Sequence, residues 1–322
     1  MGSVRNHRIR ALDHHSQWKL MEGNSVTLTY RQCKKLEEIV GSLVNQYHPE
    51  SIICFGFQHN IKEVSNCFTQ PVNDSHSHYF LLMITKDITR IEHEVQDHVN
   101  RHFDDLITIL VHGVKTVTNA IGEGSRFFIR VCHYGFQLFS ANGLRLNMDY
   151  PILSTAKTLA SAERHYRHRY SMALGFMEAA DTCFESQFYN NSIFMLHQAV
   201  EQACIALIRV YMAYRSDMHN LARLFNLCLC FSDEPAALFP RKTEEDLRLF
   251  QLLLKSYSEA RYRDEYKVSS NDADILCTQV RELIKLTEIL CNDKLGVYRQ
   301  AAEQADEKTP DHLPVFPASF LS

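Results

Sequence analysis

Imidazole, carboxylate and guanidinium groups at helical spacing are where this chain could do chemistry. His197 and Glu201 stand four residues apart in His197-Gln198-Ala199-Val200-Glu201-Gln202-Ala203. One helical turn puts both on the same flank, where a carboxylate can hold an imidazole. In Ala260-Arg261-Tyr262-Arg263-Asp264-Glu265-Tyr266, two arginines bracket a tyrosine ahead of an expected helix start. Paired guanidinium groups beside free backbone N–H groups make a phosphate site. Arg215 and His219 lie just before Asn220-Leu221. The candidate nucleotide- or phosphate-binding set is therefore His197, Glu201, Arg215, His219, Arg261, Tyr262 and Arg263. In the competing reading Arg261 ties helices together through Glu201 or Glu265, and His219 caps its own helix.

A second basic word, Arg164-His165-Tyr166-Arg167-His168-Arg169-Tyr170, alternates cations and aromatic rings. That pattern grips single-stranded nucleic acid through stacking and phosphate contacts, with Arg164, Arg167 and Arg169 as the phosphate partners. A solvated helix face, or a seam against the other half of the chain, competes with it. His76, His78, His93, His98 and His102 raise the question of a metal, and His98 and His102 have the i, i+4 spacing of a chelating pair. Spacing fixes no third ligand, no CxxC occurs among the 10 cysteines, and 17 histidines make such pairs common. No metal and no cofactor is expected, and the cysteines read as small core residues in a reducing compartment.

The elements that must position these groups fall into two textures. Short apolar bursts at 51–57, 78–85, 106–112 and 135–140 have strand length and strand composition. Helical patterns at 30–47, 89–103 and 125–134 alternate with them, so the first half reads as an α/β domain with a small sheet. From Pro151 the period becomes 3.6, with helices expected over 155–185, 189–214, 219–230, 243–257 and 271–292. Thr243 and Asp246 have capping-box spacing, and Ser269, Ser270 and Asn271 are N-cap candidates. The expected fold class is α+β in two domains, a small mixed sheet followed by an all-α bundle. The expected divisions are a flexible segment 1–28, an α/β domain 29–145, a bundle 152–295 and a tail 296–322.

At 322 residues, 45% hydrophobic and 22% charged, the composition excludes disordered and low-complexity classes. The first 150 residues carry 15 basic and 15 acidic side chains and the rest carry 19 and 23. Neither half has the cationic excess of a protein that grips long nucleic acid through many phosphates. No run of about 20 apolar residues stands out, so no membrane span is expected. Without a signal peptide, the expected compartment is the cytoplasm.

Three words in order, the His197–Ala203 helix, the His219-Asn220-Leu221 helix start and Ala260-Arg261-Tyr262, resemble the HEPN family over roughly 155–292. That resemblance implies a helical bundle that dimerises and binds a nucleotide or RNA, in a toxin–antitoxin or defence-like setting. Catalytic members of the family are ribonucleases with an Arg, four to six residues, then a His. Here the next histidine after Arg263 is His312, Tyr266 stands where a histidine would serve, and Arg126 with His133 has the spacing only in the other half. The α/β half resembles the nucleotidyltransferase fold, whose active members carry Gly-Ser after the first strand and Asp-x-Asp on the second. This chain has Gly56-Phe57 and His78-Tyr79-Phe80 there, with only Asp104 and Asp105 left to echo the remaining acid. The expectation is a non-catalytic nucleotide- or RNA-binding protein with no catalytic residues. The alternatives are a ribonuclease or nucleotidyltransferase with non-standard residues, and a protein-interaction scaffold.

Overall fold

The computed structural model describes residues 17–19, 25–27, 30–66, 69–87, 91–103, 106–142 and 150–307. Side chains are described for 30–58, 77–87, 91–103, 107–142, 150–260 and 262–306. Two three-residue strands, β1 (Gln17–Lys19) and β2 (Ser25–Thr27), pair antiparallel, inside a segment expected to be flexible. The main sheet comprises β3 (Ser51–Asn66), β4 (Thr69–Thr85), β5 (Leu106–Gly113) and β6 (Phe136–Ser140) in the order β5-β4-β3-β6. β3 pairs antiparallel with β4 and β6, and β4 pairs parallel with β5.

Alternation along the strands assigns side chains to two faces. Ile52, Cys54, Leu81, Met83, Ile109 and Val111 meet α1 (Tyr30–Tyr47) and α2 (Glu92–His102) through Leu36, Ile39, Leu43, Val95 and Val99. Ile53, Leu82, Ile84 and Leu110 face the other way, onto α3 (Val114–Gly122) and α4 (Arg126–Tyr134). Because both faces are covered, the strands read as continuous apolar bursts rather than an alternating pattern. α3 was not expected, since its Val, Thr and Ile residues resemble a strand. Val117 and Ile121, one turn apart, seat it on the sheet.

The second half contains α5 (Thr155–Glu185), α6 (Tyr189–Tyr211), α7 (Leu221–Cys228), the one-turn α8 (Glu234–Ala237), α9 (Glu244–Tyr262) and α10 (Ser270–Glu307). The capping box of α9 forms as its sequence predicts: Thr243 N–H donates to Asp246 and Asp246 N–H to Thr243 Oγ1. α6 ends at Tyr211 rather than Tyr214, because Ala213 takes a left-handed φ of 57°. By length and composition alone α6 is apolar enough to cross a membrane, contrary to the sequence expectation. Here most of that apolar stretch is packed inside the bundle, and the polar His197, Gln198, Glu201 and Gln202 interrupt it.

The chain does not turn into a tail at 296. α10 continues to Glu307 because Leu295, Tyr298 and Ala302 extend the buried stripe and Tyr298 Oη donates to the Val210 carbonyl at 3.0 Å. One hydrophobic core runs from the outer sheet face into the bundle. Polar contacts cross the same junction. His112 Nε2 and Tyr214 Oη share a 3.0 Å hydrogen bond, Arg223 pairs with Glu92 at 2.9 Å, and Arg126 Nη2 donates to the Val210 carbonyl at 2.7 Å. Nine described cysteines are free thiols, six of them buried.

Candidate functional site

α6 presents Glu201 from the bundle interior, and the segment before α7 brings His219 onto it. His219 Nδ1 lies 3.2 Å from both Glu201 carboxylate oxygens. Glu201 is buried, whereas 61% of the His219 side chain is exposed, so an inner carboxylate anchors an outer imidazole. Asn220 positions the histidine: its side chain caps α7 by accepting from Arg223 N–H at 3.1 Å, which fixes where the preceding residue leaves the helix. On α9, Tyr257 stacks on both histidines, with ring centroids 5.3 Å from His197 and 5.8 Å from His219. His197 is buried beneath that ring. The sequence paired Glu201 with His197; the structure places His219 on Glu201 and stacks His197 on Tyr257. Tyr257 was missed altogether, since nothing in its local sequence distinguishes it from the apolar stripe of α9.

The arginine word sits differently from its expected place. α9 runs on to Tyr262, so Arg263 is at the carbonyl end of a helix, not beside the free N–H groups of the next one. A cation is favoured there by the helix dipole, and Arg263 also pairs with Glu259 at 3.3 Å. Tyr262 is exposed. The Arg261 side chain lies outside the described residues. Tyr266 is buried, its hydroxyl donating to the Leu252 carbonyl at 2.8 Å, and burial pushes its pKa up. Arg215 faces solvent 3.6 Å from Asp217.

The basic word of α5 is split by its helix. Tyr166 and Tyr170, their ring centroids 5.2 Å apart and tilted, turn toward the core, Tyr170 Oη donating to Glu288 at 3.0 Å. Arg169 donates to Gln202 at 2.7 Å. Arg164 and Arg167 are left on the outer face with His168, Arg167 near Glu163 at 3.9 Å. The alternating stack expected for single-stranded nucleic acid is not presented on one surface, because residues three and four apart, not two, share a helix face.

In the sheet, the nucleotidyltransferase-type positions are packed shut. His78 and Phe80 point to one side of β4 and stack at 4.2 Å. His78 Nε2 shares a 2.8 Å hydrogen bond with Thr108 Oγ1 on β5, and burial pushes the His78 pKa down to about 4. Its Nδ1 is buried without a partner among the described residues. A Cβ at Gly56 would come 3.0 Å from Cys230 Sγ of the helical half and 3.3 Å from the Phe80 ring. Phe57 is half-buried beside the cluster under α1. Asp104 and Asp105 lie outside the described residues.

The remaining histidines do not converge. His98 Nε2 bonds to Ser42 Oγ at 2.8 Å, and His102 Nδ1 donates to the His98 carbonyl at 2.8 Å. His93 lies 3.4 Å from Arg223, and the His76 side chain is outside the described residues. Among the described residues no group of three His, Cys, Asp or Glu is placed to hold a metal ion. Arg126 is buried and His133 exposed, so they form no Arg–His pair.

With this geometry in place, the sequence matches the family model described as "HEPN domain" over residues 166–290. This stretch is a HEPN domain. The match begins inside α5 and ends inside α10, so it contains the Glu201–His219–Tyr257 cluster and leaves out the sheet. The chain is also similar to the crystal structure of an archaeal HEPN homologue, at 18% identity and a TM-score of 0.26, covering 44% of this chain and 99% of that one. A second similar structure is a nucleotidyltransferase-like protein from Exiguobacterium sibiricum, at 12% identity and a TM-score of 0.27, covering 81% of this chain and 78% of that one. No curated protein matches the chain.

Proposed function

We propose that this protein is a non-catalytic nucleotide- or RNA-binding HEPN protein, with a nucleotidyltransferase-like scaffold in its first half. One observation carries the reading: His78 and Phe80, at the positions that would need carboxylates, form a packed, neutral cluster with Thr108. Nucleotidyl transfer through two magnesium ions needs hard oxygen ligands, and neither a phenyl ring nor a histidine held neutral supplies them. Ligand recognition falls to the HEPN domain, where His219 is anchored on Glu201 and stacked on Tyr257, with Arg263 and Tyr262 at the end of the same helix as Tyr257. The protein acts in the cytoplasm as a homodimer joined through the helical domain, in a toxin–antitoxin or defence-like system.

The test combines binding with turnover. ATP and a short single-stranded RNA are titrated with and without magnesium against the wild type, Arg263→Ala and His219→Ala, while labelled RNA is followed for cleavage and nucleotide addition. The proposal expects magnesium-independent binding of ATP or RNA that weakens in both variants, with no change to the RNA. RNA cleavage abolished by His219→Ala would establish the ribonuclease alternative, and the absence of any binding would favour a pure interaction scaffold.

A further inference from the structure

The ring at the surface end of the Glu201–His219–Tyr257 cluster is held more firmly than an exposed side chain needs to be. Both Glu201 carboxylate oxygens lie 3.2 Å from His219 Nδ1 and fix one edge of the imidazole. Tyr257 fixes its plane, the two rings being parallel to within 5° with centroids 5.8 Å apart. Tyr257 is in turn set by His197 and by Phe194, whose ring lies 6.4 Å away and 24° from parallel. With one edge on the carboxylate and one face on Tyr257, the 61% of the His219 side chain that stays exposed is its other face and its Nε2 edge.

As a mere tie between helices this arrangement is costly. The Glu201 side chain is 6% exposed, and among the described residues its charge is met by His219 alone. A buried carboxylate gives up hydration that an exposed partner repays poorly, and two apolar side chains would join α6 to the start of α7 without that loss. What the ion pair and the tyrosine supply together is a flat ring whose orientation is settled before anything binds. Such preorganisation removes part of the ordering cost of a ligand.

The chemistry on offer is a π-face. Of the candidate arginines with described side chains, Arg215 lies 3.6 Å from Asp217 and Arg263 lies 3.3 Å from Glu259, so each already faces a carboxylate. Glu201 adds a third acid beside the ring. This balance favours a ligand that presents an uncharged aromatic part to His219. Nucleobases do so whatever their identity, and each base stacked on an aromatic side chain contributes about 5- to 150-fold in affinity.

We propose that the exposed face of His219 stacks one unpaired nucleobase, of a free nucleotide or of a single-stranded RNA; this rests on the ligand-binding reading above and adds which part of the ligand is gripped. Phosphate contacts then lie elsewhere along the ligand, and a nucleoside without any phosphate is still held.

Adenosine, ADP and ribose 5-phosphate are titrated calorimetrically against the full chain without magnesium. Because removing His219 strands a buried charge, the variants carry Glu201→Gln, which keeps an acceptor for Nδ1 and serves alone as the reference. Adenosine binding should weaken at least tenfold when His219→Ala is added and stay within about threefold when His219→Phe, which keeps a ring face, is added instead. Tyr257→Leu in the otherwise unchanged chain is the second variant should the histidine variants fail to fold, and it should weaken adenosine at least fivefold. Competition by a short single-stranded RNA marks an RNA base as the occupant and its absence marks a free nucleotide; either result, with the histidine dependence, supports the platform. ADP binding matched by ribose 5-phosphate, with no adenosine binding at millimolar concentration, would overturn the platform and leave the ligand-binding reading standing. Adenosine binding indifferent to both His219 and Tyr257 would overturn it as well. Should only RNA bind, single abasic substitutions decide: a tenfold loss at one position that the His219→Ala chain does not show supports the platform, and uniform affinity overturns it. No binding of any probe overturns both readings.

Discussion

Acid should act on this fold through His78. Burial holds its folded pKa at about 4, below the ordinary 6.5, so the unfolded chain takes up the proton first. Stability contributed by the neutral ring is complete above about pH 6.5 and is lost as pH falls through the window from 6.5 to 4, after which both states are protonated. Going from pH 7.5 to 4.5 therefore costs about 2.5 kcal/mol from this one group, by proton linkage. His112 is also pushed down by burial, so the total acid response contains more than one residue. A double difference isolates it. Urea unfolding is measured at both pH values for the wild type and for His78→Gln, which keeps an amide within reach of Thr108 and does not titrate. The wild type should lose about 2.5 kcal/mol more than the variant between the two conditions. A double difference below about 0.5 kcal/mol would refute the claim that the ring is held neutral inside the sheet, and with it the packed-shut pseudo-site.

Other perturbations test the framework around it. Arg223→Ala leaves Glu92 facing a largely buried pocket, since the two side chains are 11% and 20% exposed; it should cost about 2–3 kcal/mol in urea unfolding, below the fully buried range because Glu92 keeps some water. Gly135→Ala drives a Cβ into the Val131 carbonyl and the Ile53 side chain, atoms that cannot retreat together; a loss of at least about 3 kcal/mol, or failure to express as folded protein, is expected. Thr243→Ala removes the hydroxyl that accepts from Asp246 N–H; it should lower stability by about 1 kcal/mol without altering ADP or RNA binding.

Much of the fold was legible from apolar periodicity, and the failures have identifiable causes. The bursts at 51–57 and 78–85 located β3 and β4, but their paired strands continue to Asn66 and from Thr69 through a mostly polar stretch with no apolar run to mark it. α3 was hidden because its β-branched residues favour a strand locally and only the sheet face beneath Val117 and Ile121 selects a helix. α10 outran its expected end because Tyr298 is held by a carbonyl of α6, a partner 88 residues away. In the HEPN domain, spacing along α6 pointed to Glu201, while the ring that stacks on His219 comes from α9. A cleft at the junction of the two halves left no motif, because Arg126, Lys157 and Arg209 on its walls come from three separate helices.

The contact between Gly56 and Cys230 bears on what this architecture can become. A chain given two carboxylates at positions 78 and 80 would still hold Cys230 of the helical half against Gly56, on the strand beside them. Admitting a ligand there means prising the halves apart, which would separate His112 from Tyr214 and Arg223 from Glu92. Docking of the halves and admission of any ligand on this face of the sheet thus compete for the same space, and point substitutions in the sheet alone cannot open it.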